Sequence, residues 1–463
     1  MSTYAALSYC WGGNQPFSTT TRNVSQYSKT GISLQNLPQS IRDAVWVTAK
    51  LGLRYLWVDS LCIIQDSDSD KAHEIARMSD VYRMSYITIS AASAGTCYEG
   101  FLQPRRDCGE RVKVPFGCKD GLVGSVLLYR KSKVLVESLD PQEPIDKRAW
   151  TLQESFMSPR LLIYSRSQLF WSCQHVRGRD GGVWPWGSED GAQTGEEHYN
   201  RIRYRASYRG GARDRLAVLG SASIDTWKQI IENYSRRRLT EPLDKFLAIS
   251  SIAAHFSDLL SSQYLAGLFK TEFARQLFWK AKLPSNLTRP GVWRSPSWSF
   301  MSVDGDIDFS VTQRLDMEPK AAQITDFKIT LEDDNLPFGK LRAGWIKIRG
   351  YLGQVYPSRT DHSPSGLGGK INFGPEPAAS SALSFGEFQF DTVNLEASVV
   401  TTNHGPQEWS APIWCLTFRS RSFGLMLDEL PDGNFHRIVV FGTDSDALRA
   451  SSKTWQRAEI VIV

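Results

Sequence analysis

The 463-residue chain lacks any pair of cysteines at C-x-x-C spacing. Its seven cysteines (Cys10, Cys62, Cys97, Cys108, Cys118, Cys173 and Cys415) are an odd, scattered set. No clustered histidines complete a zinc set, so a zinc ribbon is excluded and a reduced, cytoplasmic setting fits better than a disulfide framework. A strong charge of one sign is missing too, because 54 Lys and Arg against 49 Asp and Glu leave only +5. That balance does not call for a nucleic-acid partner. No unbroken apolar run reaches membrane-spanning length; the most apolar stretch, 246–269, contains His255 and Asp258 and is read as a buried helix. The opening MSTYAALSYCWGG has neither the basic nor the apolar part of a secretory signal. No internal repeat of useful period is visible.

What is present is an ordinary globular mix, 41% hydrophobic and 22% charged, with 15 tryptophans that suit a large packed interior. Length suggests two or three domains. The first third alternates strand and helix. YAALSY (4–9) reads as a strand ending in Cys10, Trp11, Gly12 and Gly13. LPQSIRDAVWVTAKLG follows as a helix, with Leu37, Ile41, Val45 and Ala49 on one face, Pro38 in its first turn and Gly52 at its stop. RYLWVDSLCII reads as a strand covered on both faces, with Asp59 at its carboxyl end. AHEIARMSDVYRM predicts a second helix with Ile75, Met78 and Tyr82 on its stripe, and SYITISAAS a third strand. This alternation predicts an α/β fold with a doubly wound parallel sheet.

An insertion with a hairpin at GLVGSVLLYRK is expected over about 92–147. The helix RAWTLQESFMS and the strand-like runs RLLIYS and QLFWSC come next. A Gly-, Trp- and Arg-rich loop region follows from 176 to about 211, then helices to about 282. From Lys328 short alternating runs predict an antiparallel β module, with flexible stretches at 363–369 and 374–381. The expected domains are therefore 1–175, a loop and helical region at 176–310, and a β-rich module at 311–463.

LSYCWG, LPQSIRDAV, RYLWVDSLCIIQD, EIARMSDVY, GFLQPR and RAWTLQE closely resemble the fungal heterokaryon incompatibility (HET) domain family over roughly residues 4–175, and PSWSF at 296–300 resembles the helical region that follows it in many members. The resemblance implies a fungal, intracellular protein of nonself recognition and programmed cell death. It also implies a distant relation to Toll/interleukin-1 receptor (TIR) domains, whose flavodoxin-like sheet in some members binds and cleaves NAD. Through it, Glu154 in WTLQE matches the glutamate of the W-C-x-x-E segment of NAD-cleaving TIR domains.

A carboxylate there can stabilise an oxocarbenium-like ribose. The alternative is a structural ion pair of Glu154 with Arg148 or Arg160. Asp59, on the strand edge where doubly wound sheets bind ligands, either contacts a ligand or caps a loop through backbone N–H groups. Ser8, Tyr9, Trp11 and Gly12 occupy the matching edge of the first strand, where Trp11 either stacks on a substrate or packs in the core. Cys62 and Cys10 lie near strand ends and read as buried free thiols more readily than as nucleophiles. His73 and His175 are isolated, and no metal site is expected. The arginines between Arg201 and Arg215, with Arg236 to Arg238, read as a solvated basic loop more readily than as a nucleic-acid surface.

Three functions stay open: a death effector with NAD as substrate, a self-assembling or sensor-recruited signalling module without catalysis, and an enzyme of specialised metabolism. In the third, Asp59 or Glu154 serves as acid or base on a small-molecule ligand under an aromatic lid drawn from 182–208. That reading starts from the lack of a recognisable sensor domain.

Overall fold

A computed structural model describes residues 2–13, 15, 17–104, 111–117, 123–129, 143–166, 169–173, 177–179, 224–282, 287–309, 323–359, 368–372, 384–389, 413–417, 423–442 and 455–463. They fall into two compact units, 1–194 with 203–209, and 195–202 with 210–463.

In the first unit the central strand β1 (Tyr4–Ser8) pairs in parallel with β2 (Tyr55–Trp57) and with β3 (Ile87–Ser90). An antiparallel hairpin, β4 (Arg111–Gly117) with β5 (Val123–Tyr129), interrupts the sheet in sequence. The sheet then resumes with β6 (Arg160–Tyr164), β7 (Leu169–Cys173) and β8 (Arg177–Arg179), in the order β2-β1-β3-β6-β7-β8. β3 and β6 are parallel, whereas β7 and β8 run antiparallel, so the all-parallel expectation holds for the first four strands only.

After β1 come α1 (Val24–Thr30) and α2 (Gln39–Lys50). Ile41, Ala44 and Val47 of α2 pack with Ala5, Leu7, Tyr9, Ile87 and Ile89 in one core. The expected stripe is thus rotated: Val45 is only half-buried and Ala49 is exposed, because α2 faces the sheet through positions 41, 44 and 47. Gly52 takes φ +72° and ends the helix, as a glycine does where a Cβ would be strained.

α3 (Asp59–Cys62) is a single turn directly after β2, and α4 (Asp68–Met84) precedes β3. The run expected as one long covered strand at 54–64 therefore stops at Trp57. β2 is an edge strand with Tyr55 49% exposed, and Asp59 begins a helical turn instead of ending a strand. α4 starts one turn earlier than its apolar stripe suggests, capped by Ser67 and carrying Asp68 and Asp70 where the helix dipole favours anions. α5 (Trp150–Met157) packs against α4, and both serve the sheet face opposite α2, with Thr88 hydroxyl-bonded to Ser158 at 2.6 Å.

Buried Asp43 explains two of the motif segments. Its carboxylate accepts the Gln39 side-chain amide at 2.7 Å and the backbone N–H groups of Phe101 and Leu102 at 2.8 and 3.2 Å, tying LPQSIRDAV to GFLQPR.

In the second unit α6 (Ile224–Ser235) buries Ile224, Trp227, Ile230, Ile231 and Tyr234, the i, i+3, i+4, i+7 pattern of one helix face. α7 (Ser250–Leu260) follows. The apolar stretch 246–269 is not one helix: α7 ends at Leu260, Ser261 turns at φ 46°, and β9 (Tyr264–Leu265) pairs with β10 (Leu268–Phe269). Among the described residues no helix is long and apolar enough to cross a membrane. β11 (Lys280–Ala281) and β12 (Ile307–Asp308) form a second short pair.

The terminal module comprises β13 (Gln323–Leu331), β14 (Leu341–Arg359), β15 (Gly368–Asn372), β16 (Ser384–Gln389), β17 (Ile413–Thr417), β18 (Phe423–Glu429), β19 (Phe435–Gly442) and β20 (Gln456–Ile462). Its pairings are antiparallel except at one β19–β20 register pair, and β17 pairs back onto β14 so that the sheet closes on itself. PSWSF is buried, with the Trp279 indole donating to the Trp298 carbonyl at 3.0 Å and Ser297 N–H donating to the Val463 carbonyl at 3.0 Å. The stretches 363–367 and 374–381, the arginines between 201 and 215, His175 and the aromatic segment 182–208 lie outside the described residues.

Candidate active site

Because β1 pairs with β2 on one side and β3 on the other, chain connections leave its carboxyl end in opposite directions. Open α/β sheets form a crevice at such a reversal. The side chains gathered there are polar and buried. Ser8, the last residue of β1, donates its hydroxyl to Glu154 Oε2, and the two are 3% and 4% exposed. Glu154 reaches this place because α5 lies against β1 on the face away from α2. Ser158 Oγ, one turn later, donates to the Glu154 carbonyl at 2.7 Å and secures the helix end. Tyr82, fully buried on α4, donates to the Leu7 carbonyl at 3.1 Å and also lies within hydrogen-bond reach of the Glu154 carboxyl.

Asp59 anchors the second half. Its Oδ1 accepts the N–H of Ser60 at 2.6 Å and its Oδ2 accepts the Trp11 indole at 2.9 Å. Tyr9 donates to Ser60 Oγ at 2.9 Å, and the Gln15 amide donates to the Tyr9 hydroxyl at 3.3 Å. The Arg148 guanidinium donates to the Tyr9 carbonyl, with Asp59 and Glu154 both in its field.

One guanidinium therefore serves two carboxyls, and burial wins. Desolvation pushes the Glu154 carboxyl up to about 7 against the opposing pull of Arg148, the Ser8 hydroxyl and Tyr82, with the Asp59 charge adding to the rise. Desolvation also raises Asp59 above the ordinary carboxylate range, partly offset by Arg148, the Trp11 indole and the Ser60 N–H. Near neutral pH Glu154 thus holds its proton about half the time, which suits a group that must change charge in a reaction.

The sequence-derived residues divide clearly. Glu154, Asp59, Ser8, Tyr9 and Trp11 come together in this cluster. Arg160 takes no part in it, donating to the Tyr86 carbonyl at 3.0 Å and lying over the Tyr86 ring. Asp59 bonds a backbone N–H, that of Ser60 in the first turn of α3, and the Trp11 indole closes over the same carboxylate. Gly12 supplies backbone, not chemistry: at φ +76° a Cβ would sit 2.7 Å from the Thr96 Cα.

Cys62 is exposed at the end of α3, not buried, because that single turn carries its last residue outward. Cys10 is buried, and desolvation pushes its thiol up to about 11. His73 is exposed on α4 beside Arg77. Among the described residues no group of three or more His, Cys, Asp or Glu side chains is placed to hold a metal ion.

Tyr82, Ser60 and Gln15 are cluster members that sequence reasoning missed. Tyr82 was legible only as a stripe residue, though a tyrosine on an otherwise apolar stripe needs a buried partner for its hydroxyl. Ser60 is carried by the same VDSL segment as Asp59.

Residues 4–154 match the family model described as Heterokaryon incompatibility protein (HET). No curated protein and no solved structure matches the chain.

Proposed function

With a heterokaryon incompatibility domain over residues 4–154 as the premise, we propose that the chain is a fungal effector of nonself-recognition cell death. In this reading the carboxyl cluster hydrolyses NAD at the bond between ribose C1′ and the nicotinamide nitrogen. The observation that carries the proposal is the pair Asp59 and Glu154 at the carboxyl ends of β1 and β2, which share Arg148 among the described residues. Buried carboxyls without matching cations are costly, and such perturbed groups concentrate at functional sites. The strand order β2-β1-β3-β6 supports the distant TIR likeness, being that of flavodoxin-like sheets.

The chemistry balances with water alone. As the C1′–N bond breaks, its electron pair leaves with nicotinamide and neutralises the pyridinium nitrogen. The ionised fraction of Glu154 stabilises the positive charge developing at the ribose. Water adds at C1′ and gives its proton to a carboxylate, then to solvent. In this reading Arg148, which holds the Tyr9 carbonyl after β1, also attracts the dinucleotide phosphates. Glu154 is only 4% exposed, so substrate access requires the side chains around it to move.

Nicotinamide release from NAD by the purified chain tests this. Glu154→Gln is expected to lower turnover by roughly a hundredfold or more, the size of effect seen when a group stabilising transition-state charge is removed. Turnover unchanged by that substitution overturns the assignment.

A second reading is favoured by the closure of the same cluster, in which every contact named above is also what a structural clamp would make. The domain would then signal by self-assembly, and toxicity would survive Glu154→Gln while sedimentation shows concentration-dependent association. Absence of nicotinamide release from the wild type selects this reading. The specialised-metabolism reading depends on the 182–208 lid, which lies outside the described residues.

A further inference from the structure

A separate cleft of about 350 Å³ opens in the first unit at the start of α2. It lies between the loop that follows β1 and the loop that follows β3, and none of its lining residues belongs to the carboxyl cluster. The floor is apolar and buried, made by Leu37 and Pro38. Two aromatic side chains flank it. Phe17 is held by stacking on Tyr27 with ring centroids 5.9 Å apart, and Tyr98 is 59% exposed.

Arg42 completes the wall. Its guanidinium accepts no help from a carboxylate among the described contacts: it donates to the Gln39 side-chain oxygen at 2.5 Å. The neighbouring Asp43 is instead committed to the Gln39 amide and the N–H groups of Phe101 and Leu102. A half-buried guanidinium facing a cleft with only an amide partner keeps its charge and most of its donors for an anion. The cleft's framework is rigid, since Ser40 N–H donates to the Cys97 carbonyl at 2.9 Å and Cys97 N–H to the Trp11 carbonyl at 3.3 Å.

We propose that this cleft binds a mononucleotide, with the base between Phe17 and Tyr98 and the phosphate on Arg42. Flat aromatic walls accept any base by its face, the guanidinium fork matches phosphate oxygens, and the volume lies at the small end of ligand sites, about 300–1,000 Å³. The assignment does not depend on NAD cleavage at Glu154.

Calorimetric titration of the full chain with AMP, adenosine and inorganic phosphate tests it, using Arg42→Gln and Tyr98→Ala, both at solvent-accessible positions. AMP is expected to bind at least roughly tenfold more tightly than either adenosine or phosphate. Arg42→Gln should weaken AMP by roughly tenfold or more, the effect of losing a charge-assisted hydrogen bond, and leave adenosine unchanged. Tyr98→Ala should weaken AMP and adenosine alike by roughly five- to a hundredfold. The proposal is overturned if AMP does not bind at millimolar concentration to folded protein, if phosphate binds as tightly as AMP, or if Arg42→Gln leaves AMP affinity unchanged. Circular dichroism of each variant keeps misfolding from counting as loss of binding.

Discussion

Each unit buries a charged cluster, and the two are balanced in opposite ways. In the second unit Arg294, with its side chain 2% exposed, bonds Asp304 at 2.7 Å and the carbonyls of Met301, Pro242 and Val303. Lys245 reaches the same carboxylate at 3.1 Å. Two cations meet one anion: although desolvation acts to raise it, Lys245 and Arg294 hold the Asp304 carboxyl below its ordinary range. Desolvation brings Lys245 down to about 8, with Asp304 opposing the fall. In the first unit the ratio is inverted, two carboxyls to one guanidinium, and desolvation raises both acids above their ordinary range. The first arrangement fixes a loop to a helix. The second stores an imbalance at a sheet edge, where a cationic transition state or ligand would relieve it.

The largest expected effect comes from breaking the balanced cluster. Arg294→Ala takes one of two cations from Asp304 and leaves the Met301 and Pro242 carbonyls without their Arg294 donor, while Lys245 stays on Asp304 and on the Val303 carbonyl, and should cost about 3–4 kcal/mol in denaturant titrations. A loss under about 1 kcal/mol would show that this pair is not structural.

The imbalanced cluster should show itself in pH dependence. Glu154 titrates at about 7 when folded, against an ordinary 4.5, so the folded state holds the extra proton between those values. The contribution of Glu154 to stability is then fully present below about pH 4.5, falls as pH rises to about 7, and shrinks by about 3 kcal/mol across that window. Glu154→Gln should flatten this slope, because a neutral amide does not titrate. A slope that persists in the variant would place the proton elsewhere.

Ser8→Ala removes one donor from a buried carboxyl and should destabilise by roughly 1–3 kcal/mol at neutral pH, while pushing the Glu154 carboxyl higher. Thermal unfolding near neutral and acidic pH separates the two consequences, since the loss shrinks once Glu154 is protonated. Smallest of all, Cys62→Ser at its exposed position should shift stability by no more than about 0.5 kcal/mol and leave nicotinamide release unchanged. Loss of release would return Cys62 to the site.

Much of this contrast was legible in the first unit and little in the second. β1, α2, α4, β3 and α5 follow from local periodicity, and the family resemblance supplied Glu154. What periodicity could not supply was the length of β2: RYLWVDSLCII is mostly apolar, yet the chain turns into α3 at Asp59, whose carboxylate accepts the Ser60 N–H in the first turn. It also could not give the direction of β7, since RLLIYS and QLFWSC read alike whichever way they run, and only the short connection favours antiparallel pairing. The Lys245–Arg294–Asp304 cluster joins residues about sixty apart by long-range contacts, and no spacing rule announces it. Tyr82 shows the same limit in the active cluster, where its stripe predicts burial and not the carboxyl it meets.

The central claim, that the imbalance at β1 is catalytic, is tested most directly by the pH profile of single-turnover NAD cleavage in the wild type and in Ser8→Ala. The account predicts a rate that rises with pH through a midpoint of about 7 as Glu154 ionises, and a midpoint moved upward when the Ser8 hydroxyl no longer stabilises the anion. A rate that is flat from about pH 5 to 9, or a midpoint indifferent to Ser8, would contradict it.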